Sequence, residues 1–404
     1  MSVSLSKVCG GITASTTLRL NALVVELRAQ GQDIIGLAAG EPDFDTPANI
    51  VAAANRAMEE GQTHYTAVSG IPSLRQAICD HLLKEKGLPY EKSNIIVGTG
   101  AKQVLYEALR AIIDPGDEVI LPAPCWLSYA EMTCMCGGVP VIVDSRVEDG
   151  FEPDIADIAA KVTEKTKAIL INSPNNPTGA VWSEKTLRQI AELAEEKDFW
   201  IISDEIYEKM VYDGSRHISI ATMSDDARKR TILISGFSKA YAMTGWRLGY
   251  AAGDKSVIAA MDAYQSHATG NTNSIAQFAG VEALKGPQES VEKMVEAFGQ
   301  RRELMLSCIR QIPGITCIEP KGAFYVLLDI EDCIGRVYEG KVITDDGVFA
   351  ELLLQYAQVS VVPGGPFFAP GYVRLSYAVS EERILEAMRR IAQFVGDVMK
   401  QKSA

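Results

Sequence analysis

The sequence predicts an α/β protein with two domains: a large one built on a mostly parallel sheet of seven strands covered by helices, and a smaller α+β domain. Short β-branched runs alternate with amphipathic helical segments through most of the chain. Most of the strand candidates are apolar throughout, so helices should cover both faces of the sheet. After about residue 285 the pattern changes to a long helix, several strands and a closing helix.

The elements of the large domain are signalled in order along the chain. The first 45 residues contain one predicted short helix and no sheet of their own, so we expect them to pack against the C-terminal domain. A helix is predicted from residue 46, with Thr46 as its cap, Pro47 in its first turn and Gly61 as its stop. Its apolar residues at helical spacing are Ile50, Val51, Ala54 and Met58. The predicted strands then follow at 94–98, 118–122, 139–144, 167–172, 199–204, 231–236 and 247–253.

The C-terminal elements predict the second domain. A helix over 290–312 precedes strands at 315–320, 323–330, 359–364 and 372–378, and a last helix begins at Ser380. In strand 372–378, apolar residues alternate with Arg374, Ser376 and Ala378, which is the period of a half-buried strand. We therefore predict a large domain over 46–285, a small domain made of 1–45 and 286–404, and a site in the cleft between them.

Composition excludes several classes of protein. A chain of 404 residues with 47% hydrophobic and 23% charged residues can bury a sizeable core. Its 39 Lys and Arg against 52 Asp and Glu give a net charge of −13, the wrong sign for binding nucleic acid or an anionic membrane surface. No run approaches the roughly 18 apolar residues of a membrane span, and the N-terminus lacks a secretory signal, so a cytoplasmic protein is expected.

Cysteine usage agrees with a reducing compartment. The eight cysteines are scattered, mostly inside apolar runs, so we expect buried free thiols. The closest pair, Cys134 and Cys136, has neither a second pair nor a nearby histidine, and no metal site is expected.

Polar residues cluster where four predicted strands end, at 98–102, 172–178, 204–207 and 235–239. Open α/β sheets bind ligands at that edge. The turn around Gly98 and Gly100 opens a helix whose first amides would suit a phosphate, although a simple tight turn explains it equally well. As a dinucleotide fingerprint the match is weak, because Gln103 stands where a glycine is required.

The other strand ends carry ionisable groups. Asp204 ends an apolar run and should be buried, which requires a cationic partner such as a protonated ring nitrogen, or a helix-capping role. Lys239 follows an apolar strand among small residues, where desolvation would make its amine nucleophilic. Arg247 offers a bidentate donor for a phosphate. Together with the amide-rich loop 172–179, this set points to pyridoxal 5′-phosphate.

Along nearly its whole length the sequence resembles the class I aminotransferases of fold type I, in particular the bacterial aspartate aminotransferase subgroup. The matching motifs, in the family's order, are GEPDFDTP (40–47), HYTAVSGIPSLRQAI (64–78), DPGDEVILPAPCWLSY (114–129), NSPNNPTGAV (172–181), SDEIY (203–207), FSKAYAMTGWRLGY (237–250), GAFYVLLD (322–329) and VRLSYA (373–378). The resemblance implies a homodimer with active sites at the subunit interface.

The resemblance also implies roles around the cofactor ring. Lys239 matches the lysine that bonds the cofactor and shuttles the substrate proton, and Asp204 matches the carboxylate that pairs with the ring nitrogen. Tyr207 and Asn176 match the residues that hydrogen-bond the phenolic oxygen. Trp126 matches the aromatic side chain that stacks on the ring.

Further matches concern the phosphate and the substrate. Gly100, Ala101, Lys102 and Arg247 match the phosphate cradle, with Tyr65 reaching the phosphate from the partner subunit. Arg374 matches the arginine that binds the substrate α-carboxylate, with Gly40 as a backbone contact beside it and Trp126 and Asn176 bordering the substrate. Gly236 departs from the serine found there in some branches, so either Ser235 or Ser238 contacts the phosphate or this contact is missing.

The implied reaction moves the amino group of an L-amino acid to a 2-oxo acid by a ping-pong mechanism. Aspartate and 2-oxoglutarate are the expected pair, with aromatic amino acids, alanine, arginine or prephenate as alternatives. Candidates for the substrate side chain are Thr16 and Thr17, together with Asn271 and Asn273 in the stretch HATGNTNS (267–274) contributed by the partner chain. A β-lyase on the same fold, a nicotinamide-dependent dehydrogenase and a non-catalytic pyridoxal-phosphate regulator remain as alternatives of other classes.

Overall fold

A computed structural model describes residues 6–401 of the chain. Its helices are α1 (Lys7–Gly11), α2 (Thr16–Ala29), α3 (Ala48–Glu59), α4 (Pro72–Lys86), α5 (Ala101–Ile112), α6 (Ser128–Met135), α7 (Ile155–Lys161), α8 (Glu184–Lys197), α9 (Asp225–Arg230), α10 (Lys255–Ala268), α11 (Ser274–Lys285), α12 (Glu289–Ile309), α13 (Asp346–Ala357) and α14 (Glu381–Lys400). Its strands are β1 (Ile35–Gly36), β2 (Ile95–Gly98), β3 (Glu118–Ala123), β4 (Val139–Asp144), β5 (Thr166–Asn172), β6 (Trp200–Asp204), β7 (Thr231–Gly236), β8 (Gly249–Ala252), β9 (Thr316–Cys317), β10 (Tyr325–Asp329), β11 (Val337–Tyr338), β12 (Lys341–Val342), β13 (Val359–Ser360), β14 (Val362–Pro363) and β15 (Tyr372–Ser376).

Seven of these strands form the large sheet, in the order β2-β8-β7-β6-β5-β3-β4. Strand β8 runs antiparallel to both neighbours, and the other pairs are parallel. The predicted mostly parallel sheet of seven strands is confirmed. Strand β8 begins at Gly249, later than predicted, because Arg247 has φ 54° and the chain turns there.

Helices cover both faces of this sheet, as the apolar strands predicted. On one face, Leu105 of α5 and Met261 of α10 pack against Ile232 of β7. On the other face, Leu74 of α4 and Ala279 of α11 pack with Leu233, the next residue of the same strand. Consecutive strand residues therefore enter two different cores, and the carboxyl ends of the strands remain the open edge.

A second sheet lies in the C-terminal part of the chain. It is antiparallel, with the order β14-β15-β10-β9. The predicted strand 359–364 is divided: β13 pairs with β1 near the N-terminus, and β14 pairs with β15. The described part of the first 45 residues holds two helices and β1 instead of one helix, and Asp33 forms ion pairs with Arg383 and Arg390 of α14. The exact domain boundaries stay a prediction, and residues 1–5 and 402–404 of the small domain lie outside the described residues.

The helix predicted from residue 46 begins differently. Pro47 is its N-cap, and the Thr46 hydroxyl instead donates to the Ala242 carbonyl and accepts from the Trp246 indole N–H. Thr46 thus ties this segment to the loop after β7. Its buried face is made of Ile50, Ala53, Ala54 and Ala57, whereas Val51 and Met58 are 37% and 48% exposed.

Burial of β15 also differs from the prediction. Arg374 and Ser376 are as buried as the apolar residues beside them. The polar face of this strand lies against Ala38 and Asn176, which are distant in sequence. The alternation of polar and apolar residues in β15 therefore reflects a buried polar face and not a face exposed to solvent.

Two expectations from composition can be compared with the structure. All eight cysteines are free, and Cys79, Cys125, Cys136 and Cys333 are buried, but Cys9 and Cys134 are exposed. Between residues 6 and 401, no helix combines the length and the apolar character that crossing a bilayer requires.

Candidate active site

A cavity of about 360 Å³ opens at the carboxyl edge of the large sheet, where β10, β15 and the N-terminal segment meet it. A volume of this size suits a small organic ligand. The predicted site residues that line it are Gly40, Ala101, Lys102, Trp126, Asn176, Asp204, Tyr207, Ser238, Lys239, Arg247 and Arg374. The four predicted strand ends therefore do converge on one site.

Asp204 forms the floor of this cavity at the end of β6 and is 5% exposed. Its Oδ2 accepts from the Tyr129 hydroxyl at 2.7 Å, and its Oδ1 accepts from the Ile206 amide at 3.2 Å. Burial raises the pKa of Asp204 to about 6, and these two hydrogen bonds oppose that rise. Within residues 6–401 no cation forms an ion pair with it, and the charge of Lys239 in the same cavity also opposes the rise of its pKa.

Lys239 faces the same cavity from the turn after β7. Its ammonium donates to the Gly40 carbonyl. Burial, together with Arg247 and Arg374, lowers the pKa of Lys239 to about 8, while Glu41 and Asp204 act in the opposite direction. About a tenth of its amine is therefore neutral and nucleophilic at pH 7, far more than for an exposed lysine.

One end of the cavity is built to hold an anion. Gly100 is the N-cap of α5 with φ 84°, and a Cβ placed on it would lie 2.5 Å from Nη2 of Arg247. A Cβ on Gly249 would lie 2.3 Å from the Ala101 amide nitrogen, so this backbone has no room for side chains. Lys102 and Arg247 add two cations beside the positive end of the α5 dipole. Partial burial and repulsion from Arg247 lower the pKa of Lys102.

One of the two serines predicted near the phosphate lies elsewhere, and Tyr65, predicted to reach the phosphate of the partner subunit, stays a prediction. The Ser235 hydroxyl donates to Glu208 at 3.2 Å, on the side of β7 away from the cavity, so Ser238 is the serine that lines it. Tyr65 is 98% exposed and does not line the cavity of its own chain.

The other end of the cavity holds Arg374, which is 2% exposed. Its guanidinium donates to Asn176 Oδ1 at 2.9 Å and to the Ala38 carbonyl at 3.0 Å, and its Nε has no protein partner. Burial lowers the pKa of Arg374, and Tyr325 and Tyr207 counteract this. Among the described residues no carboxylate pairs with this arginine, so the site leaves an anion position open.

Two aromatic side chains that the sequence did not single out complete the site. Tyr129 holds Asp204 and packs edge-on against Trp126, with ring centroids 5.4 Å apart. Tyr325 has its hydroxyl 2.9 Å from that of Tyr207. Both lie inside the quoted motifs 114–129 and 322–329, which was the available signal, but their partners lie on distant elements.

The candidates for contact with the substrate side chain differ in whether they line the cavity of this chain. Thr17 lines the cavity, together with Ser15 and Leu18, but Thr16 does not. The Asn271 amide donates to the backbone of Thr272, and Asn273 caps α11. The predicted contribution of these two asparagines to the site of a second subunit stays a prediction.

Lys102, predicted for the phosphate cradle and lining that end of the cavity, is also a candidate for contact with the substrate side chain. Its ammonium lies 4.6 Å from the centre of the Trp126 ring, and no acidic residue of the described chain pairs with it.

The known proteins to which this chain is similar in sequence are aminotransferases. The family model for aminotransferase class I and II matches residues 32–391. The aspartate aminotransferase of Bacillus sp. (strain YM-2) is 46% identical over 384 residues, covering 95% of this chain and 97% of its own. The aspartate/prephenate aminotransferase of Cereibacter sphaeroides is 46% identical over 392 residues, covering 96% and 98%.

Solved structures agree with this result. Aspartate aminotransferase from Rhizobium meliloti is similar with a TM-score of 0.95 and 40% identity, over 98% of this chain and 100% of that one. The enzyme from Thermus thermophilus, solved with maleate, gives a TM-score of 0.92 and 44% identity over 97% and 100%.

Proposed function

The chain belongs to the class I and II aminotransferases and so transfers amino groups; from that premise we propose that it works with pyridoxal 5′-phosphate bound in the cavity. When bound, this group supplies an aldehyde that condenses with amines and a ring that withdraws electrons from the substrate Cα. The observation that carries the proposal is the pair Asp204 and Lys239. An unpaired buried carboxylate and a desolvated amine line one cavity, as a ring nitrogen and an aldehyde require.

The remaining residues fit the same group. The narrow backbone at Gly100 and Ala101, with Ser238 and Arg247, suits the phosphate. Trp126 is placed to cover one face of a ring, and Asn172 and Asn176 line the cavity beside it. Tyr207 and the free amide of Asn176 would then donate to the phenolic oxygen of the cofactor.

Arg374 binds the substrate α-carboxylate. A buried guanidinium with an unpartnered Nε forms a bidentate contact with a carboxylate at low cost, because its other donors are already aligned by Asn176 and Ala38. The backbone of Gly40 lies beside it at the cavity wall.

With the cofactor bound, Lys239 would take up and return the proton of the substrate Cα. Its buried position excludes bulk water, and its pKa of about 8 lets it both accept and return a proton near neutral pH. The reaction is ping-pong, because one site serves first the amino acid and then the 2-oxo acid.

The substrates are aspartate and 2-oxoglutarate. Both carry a second carboxylate, and Lys102 and Thr17 at the cavity rim supply a cation and a hydroxyl for it. The relatives named aspartate aminotransferase and the Thermus structure with maleate, also a dicarboxylate, support this choice.

The enzyme is a cytoplasmic homodimer. Free cysteines suit a reducing compartment. Tyr65 is fully exposed in a single chain, and the dimer gives it a place at the phosphate of the second copy.

The proposal is tested by mixing the holoenzyme with single amino acids and no acceptor, and following cofactor absorbance and products. Aspartate should convert the cofactor to its amine form and release one equivalent of oxaloacetate. The Lys239→Ala variant should fold but show no conversion, while Lys185→Ala, which removes an exposed lysine of α8, should behave as the wild type. Continuous release of pyruvate and ammonia would instead identify a β-lyase.

A further inference from the structure

Tyr325 joins the two halves of the site. It lies on β10, is 1% exposed and lines the cavity. Its hydroxyl is 2.9 Å from that of Tyr207, and the centre of its ring is 4.3 Å from the guanidinium carbon of Arg374. A Cβ on Gly40 would lie 3.4 Å from the same hydroxyl, so the phenol is closely confined.

The direction of the hydrogen bond between the two hydroxyls depends on what Tyr207 meets in the cavity. Each phenol has one proton, and in the protein alone either one can donate to the other. If Tyr207 donates to Tyr325, it has no proton left for the cavity. If Tyr325 donates, the Tyr207 proton is free to point into the cavity. Burial, reinforced by Tyr325, raises the pKa of Tyr207 well above its usual range, so both phenols keep their protons at neutral pH.

An anionic oxygen next to Tyr207 selects the second arrangement. The chain then runs from the Tyr325 hydroxyl to the Tyr207 hydroxyl and on to that oxygen, and each hydrogen bond polarises the next one. Tyr207 becomes a stronger donor than an isolated phenol would be.

The ring of Tyr325 has a separate effect. Its face lies under Arg374, whose guanidinium has no carboxylate partner in the part of the chain that the structure describes. The ring therefore helps to keep this buried cation in place before substrate binds. The rings of Tyr325 and Tyr207 meet edge to face, 5.8 Å apart at 82°, so the two tyrosines move as one packed unit.

We propose that Tyr325 is a positioning residue: its hydroxyl directs the Tyr207 proton toward the phenolic oxygen of the cofactor, and its ring seats Arg374 for the substrate α-carboxylate. This inference rests on the proposed function, because it assumes that Tyr207 meets that oxygen.

The test uses the holoenzyme without substrate and the pH midpoint of its cofactor absorbance. A hydrogen bond to the phenolic oxygen stabilises negative charge there and makes the neighbouring nitrogen a weaker base. Tyr325→Phe removes only the hydroxyl and should raise the midpoint by about half to one pH unit, a three- to tenfold change in proton affinity. Its KM for aspartate should change less than twofold, because the ring remains.

The ring is tested by Tyr325→Leu. This variant should show the same midpoint shift and, in addition, a KM for aspartate raised by about tenfold or more. Maleate binding to the holoenzyme should weaken in parallel, which gives a second readout without turnover.

Tyr377→Phe is the matched control. Tyr377 is buried in the same core, donates to the Ala323 carbonyl at 3.1 Å and does not line the cavity. It should lose stability without moving the midpoint. An unchanged midpoint in Tyr325→Phe, with a clear shift in Tyr207→Phe, would overturn the inference. If Tyr207→Phe also left the midpoint unchanged, the proposed contact of Tyr207 would be wrong instead.

Discussion

Arg374 carries a positive charge at 2% exposure, with an amide oxygen, a backbone carbonyl and aromatic rings as its neighbours. Burying a cation in this way is costly unless an anion completes its surroundings. We propose that the substrate α-carboxylate is that anion, and every amino acid brings one.

Replacing Arg374 by alanine should therefore affect all substrates alike. We expect kcat/KM to fall by roughly a hundredfold for aspartate and for any weaker substrate, since losing a buried charged contact costs about 3 kcal/mol. The kcat/KM of Arg374→Lys should lie between those of Arg374→Ala and the wild type, because lysine keeps the charge but cannot form the bidentate contact. Steady-state kinetics with two amino acids measure this, with the exposed Arg389→Ala as control. A loss confined to aspartate would contradict the assignment.

The hydrogen bond between Tyr129 and Asp204 predicts a pH effect on cofactor binding. Burial places the pKa of Asp204 at about 6, so its carboxylate loses its charge as the pH falls through that value. Tyr129→Phe removes a hydrogen bond that favours the charged form, and the pKa should rise further.

The difference in Asp204 pKa between the two proteins should appear when each apoprotein is titrated with pyridoxal 5′-phosphate at several pH values. A range of roughly pH 5 to 8 brackets the Asp204 pKa of about 6. The variant should bind more weakly than the wild type by a factor that grows as the pH falls toward neutrality and below. Identical pH curves for the two proteins would show that the phenol does not act on Asp204.

At the scale of elements, the turn after β6 depends on a buried ionic cluster. The Lys86 ammonium of α4 contacts both Glu205 and Glu208, and His217 contacts Glu205 at 2.9 Å. All four side chains are at most 9% exposed. The ligand atoms of Glu205, Glu208 and His217 lie within 4.8 Å of one another, but the Lys86 ammonium already supplies a cation to both carboxylates. This cluster fixes the turn that carries Asp204 and Tyr207.

Removing the cation of this cluster should unfold the turn. Lys86→Met leaves two buried carboxylates without their lysine, and we expect a loss of about 3–5 kcal/mol in the free energy of unfolding. Urea unfolding of the apoprotein measures it. Lys84→Met, on the exposed side of the same helix, should cost less than about 0.5 kcal/mol. Equal stabilities of the two variants would contradict this account of the turn.

The same cluster predicts how stability depends on acid. Burial alone would raise the pKa of Glu205, but Lys86 and His217 outweigh it and hold the pKa at about 2, below the 4.5 of a free side chain. Its contribution is therefore complete above about pH 4.5 and is lost as the pH falls toward 2. Unfolding midpoints measured from pH 6 down to pH 3 should decline more steeply in the wild type than in Glu205→Gln; parallel curves would exclude this origin.

For the whole molecule, the exposed Tyr65 predicts that each site needs a second copy of the chain. Lys239→Ala and Tyr65→Ala should each be impaired alone. When equal amounts of the two variants are unfolded, mixed and refolded, about half of the dimers contain one subunit of each variant. Each such hybrid has one intact site of its two, so activity should return to about a quarter of the wild-type level. Sedimentation should confirm the dimer, and mixtures no more active than the mean of the two variants would contradict shared sites.

Much of this fold follows from the sequence because buried parallel strands have a distinctive composition. All seven strands of the large sheet were located, and Asp204 and Lys239 line the cavity at the strand ends where the sequence placed them. Contacts between distant segments could not be predicted. Ser235 faces Glu208 because of the strand's register, and Arg374 is buried because Ala38 comes to lie beside it.

The central claim is that Lys239 carries the cofactor. Borohydride reduction of the holoenzyme followed by peptide mass spectrometry tests it most directly. The account predicts a phosphopyridoxyl group on Lys239 and on no other lysine. A label on Lys102 or another lysine, or an unmodified Lys239 in fully loaded protein, would contradict it.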